Sequence, residues 1–162
     1  MKARFSHALM IALFAAGTSW AADTPSPPPD GDKDKDRKLE AARAAIAKQD
    51  WSGAQGILGA ALATDKVAQS SADYHNLYAY SMRKAGAKDT DRVFKHYNEA
   101  LRLDARHLGA HEYIGEAYLM VGNLAKAKEH LSVLDGLCRS GCAEYGGLKK
   151  AVSAYESKQA GK

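Results

Sequence analysis

From residue 37 onward the apolar positions recur at three- and four-residue spacing, as they do on one face of a helix. Residues 143–159 show this most simply: Tyr145, Leu148, Val152 and Tyr155 form one face and Lys149, Lys150, Glu156 and Lys158 the other. This predicts a single amphipathic helix. Upstream, the pattern breaks at intervals into pairs of helices joined by short turns, and the pairs resemble one another. In residues 108–141, Ile114-Gly115 and Tyr118 precede the turn at Gly122-Asn123, and Ala127 and Leu131 follow it. Gly115 and Ala127 are expected to be small where the two helices of a pair cross closely. In residues 72–107, Tyr78-Ala79, Met82, Gly86, Val93, Tyr97 and Ala100 keep the same order, with a longer turn through Ala87-Lys88-Asp89-Thr90-Asp91. Residues 35–68 carry it more faintly, in Ala41-Ala42, Ala45, Gln49-Asp50-Trp51, Ala54, Leu58 and Ala61. There, Gly53, Gly56 and Gly59 each cost about 1 kcal/mol against alanine, which predicts that this second helix is the least stable.

Abundant alanine and few strand-favouring residues agree with an all-α domain over 37–158. Before it the character differs. Lys2 and Arg4 precede an unbroken apolar run from Ala8 to Ala16, and Ser19-Trp20-Ala21 offers small residues at the positions a signal peptidase reads. Residues 1–21 are thus expected to be a cleaved export signal, too short to span a bilayer. Residues 22–36 hold all four prolines and the run from Asp30 to Asp36, and predict a solvated tether. Loss of Lys2 and Arg4 lowers the basic count from 23 to 21 against 19 acidic residues, so the formal charge falls from +4 to +2. No basic stripe interleaved with aromatics remains, which argues against a nucleic-acid partner.

A helical hairpin repeated about every 34 residues is the mark of a solenoid. With Ile114-Gly115, Tyr118, Gly122, Ala127 and Leu131 at the motif's spacings, and His111 where tryptophan is usual, residues 35–158 resemble the tetratricopeptide-repeat (TPR) superfamily. The chain is also similar to short periplasmic TPR proteins of proteobacteria. The likeness lies in Asn76-Leu77 through Lys84, in His111 through Leu119, and in the ending Leu137-Cys138 through Gly141-Cys142-Ala143-Glu144-Tyr145. The resemblance implies a helical-hairpin solenoid of about three repeats with a capping helix, a periplasmic location, and a non-catalytic adaptor or scaffold binding a protein or peptide.

In the TPR arrangement the first helix of each hairpin lines a concave groove. The residues expected there are Leu39, Arg43 and Ile46, then Asp73, Asn76, Tyr80 and Arg83, then Glu112, Glu116 and Leu119. Arg43 and Arg83 are candidates to hold a carboxylate, Asn76 a backbone amide, and Tyr80 offers a flat contact surface. Glu112 and Glu116 stand where a carboxylate clamp would need cations, so no such clamp is expected. Cys138 and Cys142 should form a disulfide in an oxidising compartment, since four helical steps separate their Cα atoms by about 6 Å. An alternative is thiol-redox or metal handling by this pair, with copper or zinc also recruiting His130 or the pair His107 and His111. Three intervening residues in an all-helical chain argue against a redox motif, and Ala143 stands where haem attachment would want histidine. His75 and His96 have no evident partner in the sequence. Nucleophile, phosphate-loop and zinc-protease motifs do not occur, so neither catalysis nor a cofactor is expected.

Overall fold

The computed structural model describes residues 30–138 and 141–161. The predicted export signal and the tether up to residue 29 lie outside the described residues. Three antiparallel hairpins follow in order: α1 (Asp30–Ala47) with α2 (Trp51–Thr64), α4 (Ala72–Lys84) with α5 (Thr90–Leu103), and α6 (Leu108–Met120) with α7 (Leu124–Leu137). A one-turn helix, α3 (Lys66–Gln69), joins the first hairpin to the second, and α8 (Ala143–Ala160) closes the array. No strand occurs among the described residues.

The hairpins share one turn chemistry. Each first helix ends near a residue with left-handed backbone, Gln49 (φ 58°), Gly86 (φ 77°) or Gly122 (φ 80°). Glycine enters this region without a Cβ clash, and Gln49 does so at some cost. Each second helix then starts behind a side-chain cap: Asp50 accepts from Gly53 N–H, Asp89 from Arg92 N–H and Asn123 from Lys126 N–H. In the pair Gly122-Asn123 only the glycine is left-handed; the asparagine is the cap. The longer turn of the second hairpin is present as residues 85–89, with Thr90 and Asp91 already inside α5.

Three features depart from the sequence expectations. First, α1 begins at Asp30, inside the stretch read as a tether; the prolines, which a helix interior does not accept, end at Pro29. Second, α3 was not expected. Asp65 both ends α2 and caps α3, accepting from Val67 N–H at 2.8 Å. Third, Gly115 is small for α8 rather than for its own hairpin. A Cβ there would stand 2.6 Å from Leu148 Cδ2. In α2, Gly59 lies against the Tyr78 ring, where a Cβ would stand 3.2 Å from the phenol oxygen, while Gly56 faces open space.

One apolar core runs through the first two hairpins to Ile114 and Ala117, with Tyr74 and Tyr97 fully buried. A second, made of Ala127, Leu134, Leu148 and Val152, lies beneath α8. Thus α8 covers the face that the last hairpin would otherwise leave open. Cys138 and Cys142 are joined, with Cα atoms 5.5 Å apart, and Cys142 Sγ also accepts from Tyr145 N–H at the start of α8. The disulfide therefore ties the end of α7 to the cap of α8.

Candidate functional site

Cross-helix contacts show that α1, α4, α6 and α8 lie side by side. Arg43 of α1 reaches Asp73 of α4 at 3.3 Å, and Asp73 also accepts from His107, the N-cap of α6, at 3.1 Å. His107 Nδ1 accepts from Ala110 N–H, so its Nε2 carries the proton donated to Asp73. Further along, the Tyr80 and Tyr113 rings meet at 4.4 Å between centroids, with Trp51 edge-on to Tyr80 at 5.9 Å. Arg83 then bridges α4 to α6 through Glu116 at 2.6 Å. The Glu112 carboxylate lies over Gly147 of α8, in the space a side chain there would fill.

This ladder brings together most of the expected groove residues, in altered roles. Leu39 is buried in the core and leaves the groove. Ile46 packs against the first core and Leu119 against the second. Arg83 is only 9 % exposed and is already engaged: Nε donates to Tyr97 Oη at 3.2 Å and Nη2 to Glu116, while the guanidinium lies 5.5 Å from the Tyr80 ring centre. Burial alone would lower its pKa, but Tyr97 and Glu116 reverse that and raise it. Arg43 is shared between Asp73 and Glu40. Both arginines thus hold carboxylates of their own chain, which argues against their use as anion holders for a partner. What remains is an aromatic surface of Trp51, Tyr80 and Tyr113, partly exposed and held in place by Arg83. Burial raises the phenol pKa of Tyr80, and burial with Glu112 nearby pushes that of Tyr113 up to about 12, so both stay neutral donors.

Two further features were missed from sequence. Asn76 is only 3 % exposed, and its Oδ1 has no hydrogen-bond partner. Glu112 is pushed up to about 7 by burial, then by Glu116 and Glu144.

The histidines are not isolated. His75 Nε2 lies 3.0 Å from Gln69 O and must donate, so its Nδ1 accepts from His96 Nδ1–H at 2.9 Å. His111 and His130 repeat this, with Nε2 to Ala105 O at 3.1 Å and Nδ1 to Nδ1 at 2.9 Å. Each pair clips the two helices of its hairpin together. The signal was in the sequence, since the two pairs occupy equivalent positions of the second and third hairpins. His107 and His111, considered as one metal-binding pair, are separated by this arrangement: one serves Asp73 and the other His130. Among the described residues no group of three or more His, Cys, Asp or Glu is placed to hold a metal ion, and no helix is long and apolar enough to cross a membrane.

No protein-family model matches the chain, and no curated protein is similar to it. Several solved structures are. The TPR domain of Arabidopsis OM64 is 14% identical, with a TM-score of 0.64 over 77% of this chain and 98% of that one. The Sgt2 TPR domain from Aspergillus fumigatus is 20% identical, with a TM-score of 0.63 over 82% and 80%. The Yersinia enterocolitica type III secretion chaperone SycD, in complex with a peptide of the translocator YopD, is 14% identical, with a TM-score of 0.62 over 78% and 95%. With these likenesses, the three capped hairpins and the covering helix establish that the chain has the all-α TPR fold.

Proposed function

We propose that this protein is an exported, non-catalytic adaptor that holds a peptide or an extended segment of a partner protein in the groove between α1, α4, α6 and α8. The observation that carries this reading is the surface of Trp51, Tyr80 and Tyr113, three aromatic rings in contact across neighbouring helices, edge-on between Trp51 and Tyr80 and tilted between Tyr80 and Tyr113, and left partly open. Tyrosine and tryptophan on a rigid frame give large contact area at low entropic cost and are enriched in binding hot spots. Structures of the same fold support it: SycD is seen with a YopD peptide and PcrH with the chaperone-binding region of PopD. The export-signal pattern of residues 1–21 and the Cys138–Cys142 disulfide favour a periplasmic setting, with the mature chain starting at Ala22.

The test selects binders from a random dodecapeptide library against the purified mature chain and compares parent with Tyr80→Ala and Tyr113→Ala. Each substitution should weaken the selected peptides by about tenfold, the effect of removing a hot-spot aromatic, with the helical signal unchanged. Binding that survives both substitutions would move the site off the groove.

A further inference from the structure

Of the chain's methionines, Met1 and Met10 fall in the expected export signal, which leaves Met82 and Met120 to the mature chain. Their surroundings are opposite. Met82 is 4 % exposed in the first core, whereas Met120, at the end of α6, is 66 % exposed and the most open large apolar side chain among the described residues. Its sulfur has a partner. Arg83 Nη1 donates to Met120 Sδ at 3.8 Å, while Nε donates to Tyr97 Oη at 3.2 Å and Nη2 to Glu116 at 2.6 Å. Two of the three guanidinium nitrogens thus meet oxygen, and Nη1 meets only a thioether among the described residues. A thioether accepts weakly. With the guanidinium almost wholly buried, water does little to make up the difference.

We infer that Met120 is a reversible oxidation site whose sulfoxide oxygen replaces the sulfur as acceptor for Arg83 Nη1 and so tightens the bridge between α4 and α6. The oxidant is a peroxide. A lone pair on Sδ attacks one oxygen of hydrogen peroxide, the O–O bond breaks as the S–O bond forms, and the attacked oxygen's proton leaves with the other half as water. Sulfur loses the two electrons that the peroxide gains. A methionine sulfoxide reductase, drawing two electrons from thiols, returns the thioether.

Position decides the sign of the effect. Oxidising a core methionine puts a polar group where water cannot reach it and disrupts packing. Met120 stands mostly in water already, and where it meets the protein it meets a cation. Arg83 and Met120 line one small hollow with Ala117, Val121 and Phe94. The 3.8 Å between nitrogen and sulfur leaves space for an oxygen, bent off that line, at about 2.9 Å from Nη1, so neither helix has to move. Only one of the two sulfoxide epimers aims its oxygen that way. The guanidinium lies 5.5 Å from the Tyr80 ring centre and 5.9 Å from that of Tyr113, so the oxidised chain holds the aromatic surface more firmly.

The experiment treats the mature chain, disulfide intact, with dilute hydrogen peroxide and follows the masses of its proteolytic peptides. The peptide holding Met120 should gain one oxygen well before the peptide holding Met82. Urea unfolding of the singly oxidised chain should then give an unfolding constant about tenfold below that of the untreated chain, the worth of one added hydrogen bond to a charged group. Met120→Gln places a carbonyl where the sulfoxide would stand, and should show a similar gain without peroxide. Each epimer has its own reductase. After one epimer is removed the remaining oxidised fraction should keep the gain, and after the other is removed it should not. In Arg83→Lys, which cannot offer three nitrogens at once, peroxide should still oxidise Met120 but bring no gain. Oxidation that spares Met120 or reaches Met82 first, an oxidised chain that unfolds as readily as the untreated one or more so, or a gain shared equally by both epimers would overturn the inference. No groove ligand enters this test, so failure here leaves the adaptor reading intact.

Discussion

Replacing Leu148 with alanine is expected to destabilise the protein by about 2–5 kcal/mol, the range for emptying a buried leucine site. Leu148 is fully buried, and its methyls fill the hollow that Gly115 leaves on α6. Glycine leaves no side chain on α6 to relax into the space, so the vacated volume stays a cavity. Gly115→Ala approaches the same contact from the other side, placing a Cβ at 2.6 Å from Leu148 Cδ2 and costing about 1–3 kcal/mol by overpacking. Urea unfolding followed by helical signal measures both. Amide exchange should localise the first loss to α7 and α8, because those helices share the second core. A Leu148→Ala cost below about 1 kcal/mol, near that of a surface change, would show that α8 is not the cover described here.

Acid is expected to loosen the second and third hairpins through their histidine pairs. Burial first, and then His75 and His111 respectively, hold His96 and His130 down to about 4 in the folded chain, against 6.5 for a free imidazole. Since the folded values are depressed, the unfolded chain binds protons more readily. The stability contribution is complete above pH 6.5 and is lost as pH falls towards 4. Both rings are partly open to solvent, so the loss is discounted to about 1–2 kcal/mol for each. Glu112 works the other way: its folded value of about 7 lies above the ordinary 4.5, so protonation between those values favours the folded chain. The difference between parent and the double variant His96→Asn, His130→Asn cancels Glu112 and isolates the imidazoles. The parent's advantage at pH 7 should shrink as pH falls to 4, as read from urea midpoints at each pH. A constant difference would remove the pairs from the pH response.

The hairpins were legible in the sequence because their markers are local. Gly86 and Gly122 mark turns by backbone conformation, which needs no distant partner, whereas the capping roles of Asp89 and Asn123 within those turns came from the structure. The capping helix was legible from the spacing of Tyr145, Leu148 and Val152. Relations between helices were harder to read. Gly115 is small because of Leu148, a residue from the next element, and a motif that describes one repeat at a time assigns it to the wrong neighbour. Arg83 reads as a free groove cation from its position on α4. Its engagement depends on Glu116 and Tyr97, which only the packing of α5 and α6 places beside it. Asn76 and Glu112 stood among the groove candidates for their chemistry, but what distinguishes them, an unpaired oxygen and an unpaired half-buried acid, is a property of the assembled groove. The histidine pairs were the most recoverable of the missed features, since their equivalence across two repeats is visible once the hairpins are aligned.

The most direct measurement places a photocrosslinking residue at Tyr80, in the aromatic surface, and separately at Lys128, exposed on α7 and paired with Glu156 of α8. Irradiation of living cells that produce each variant should give one specific adduct from Tyr80, absent from Lys128 and lost when Tyr113→Ala is added. Equal capture at both positions, or capture at Lys128 alone, would contradict the groove as the working surface.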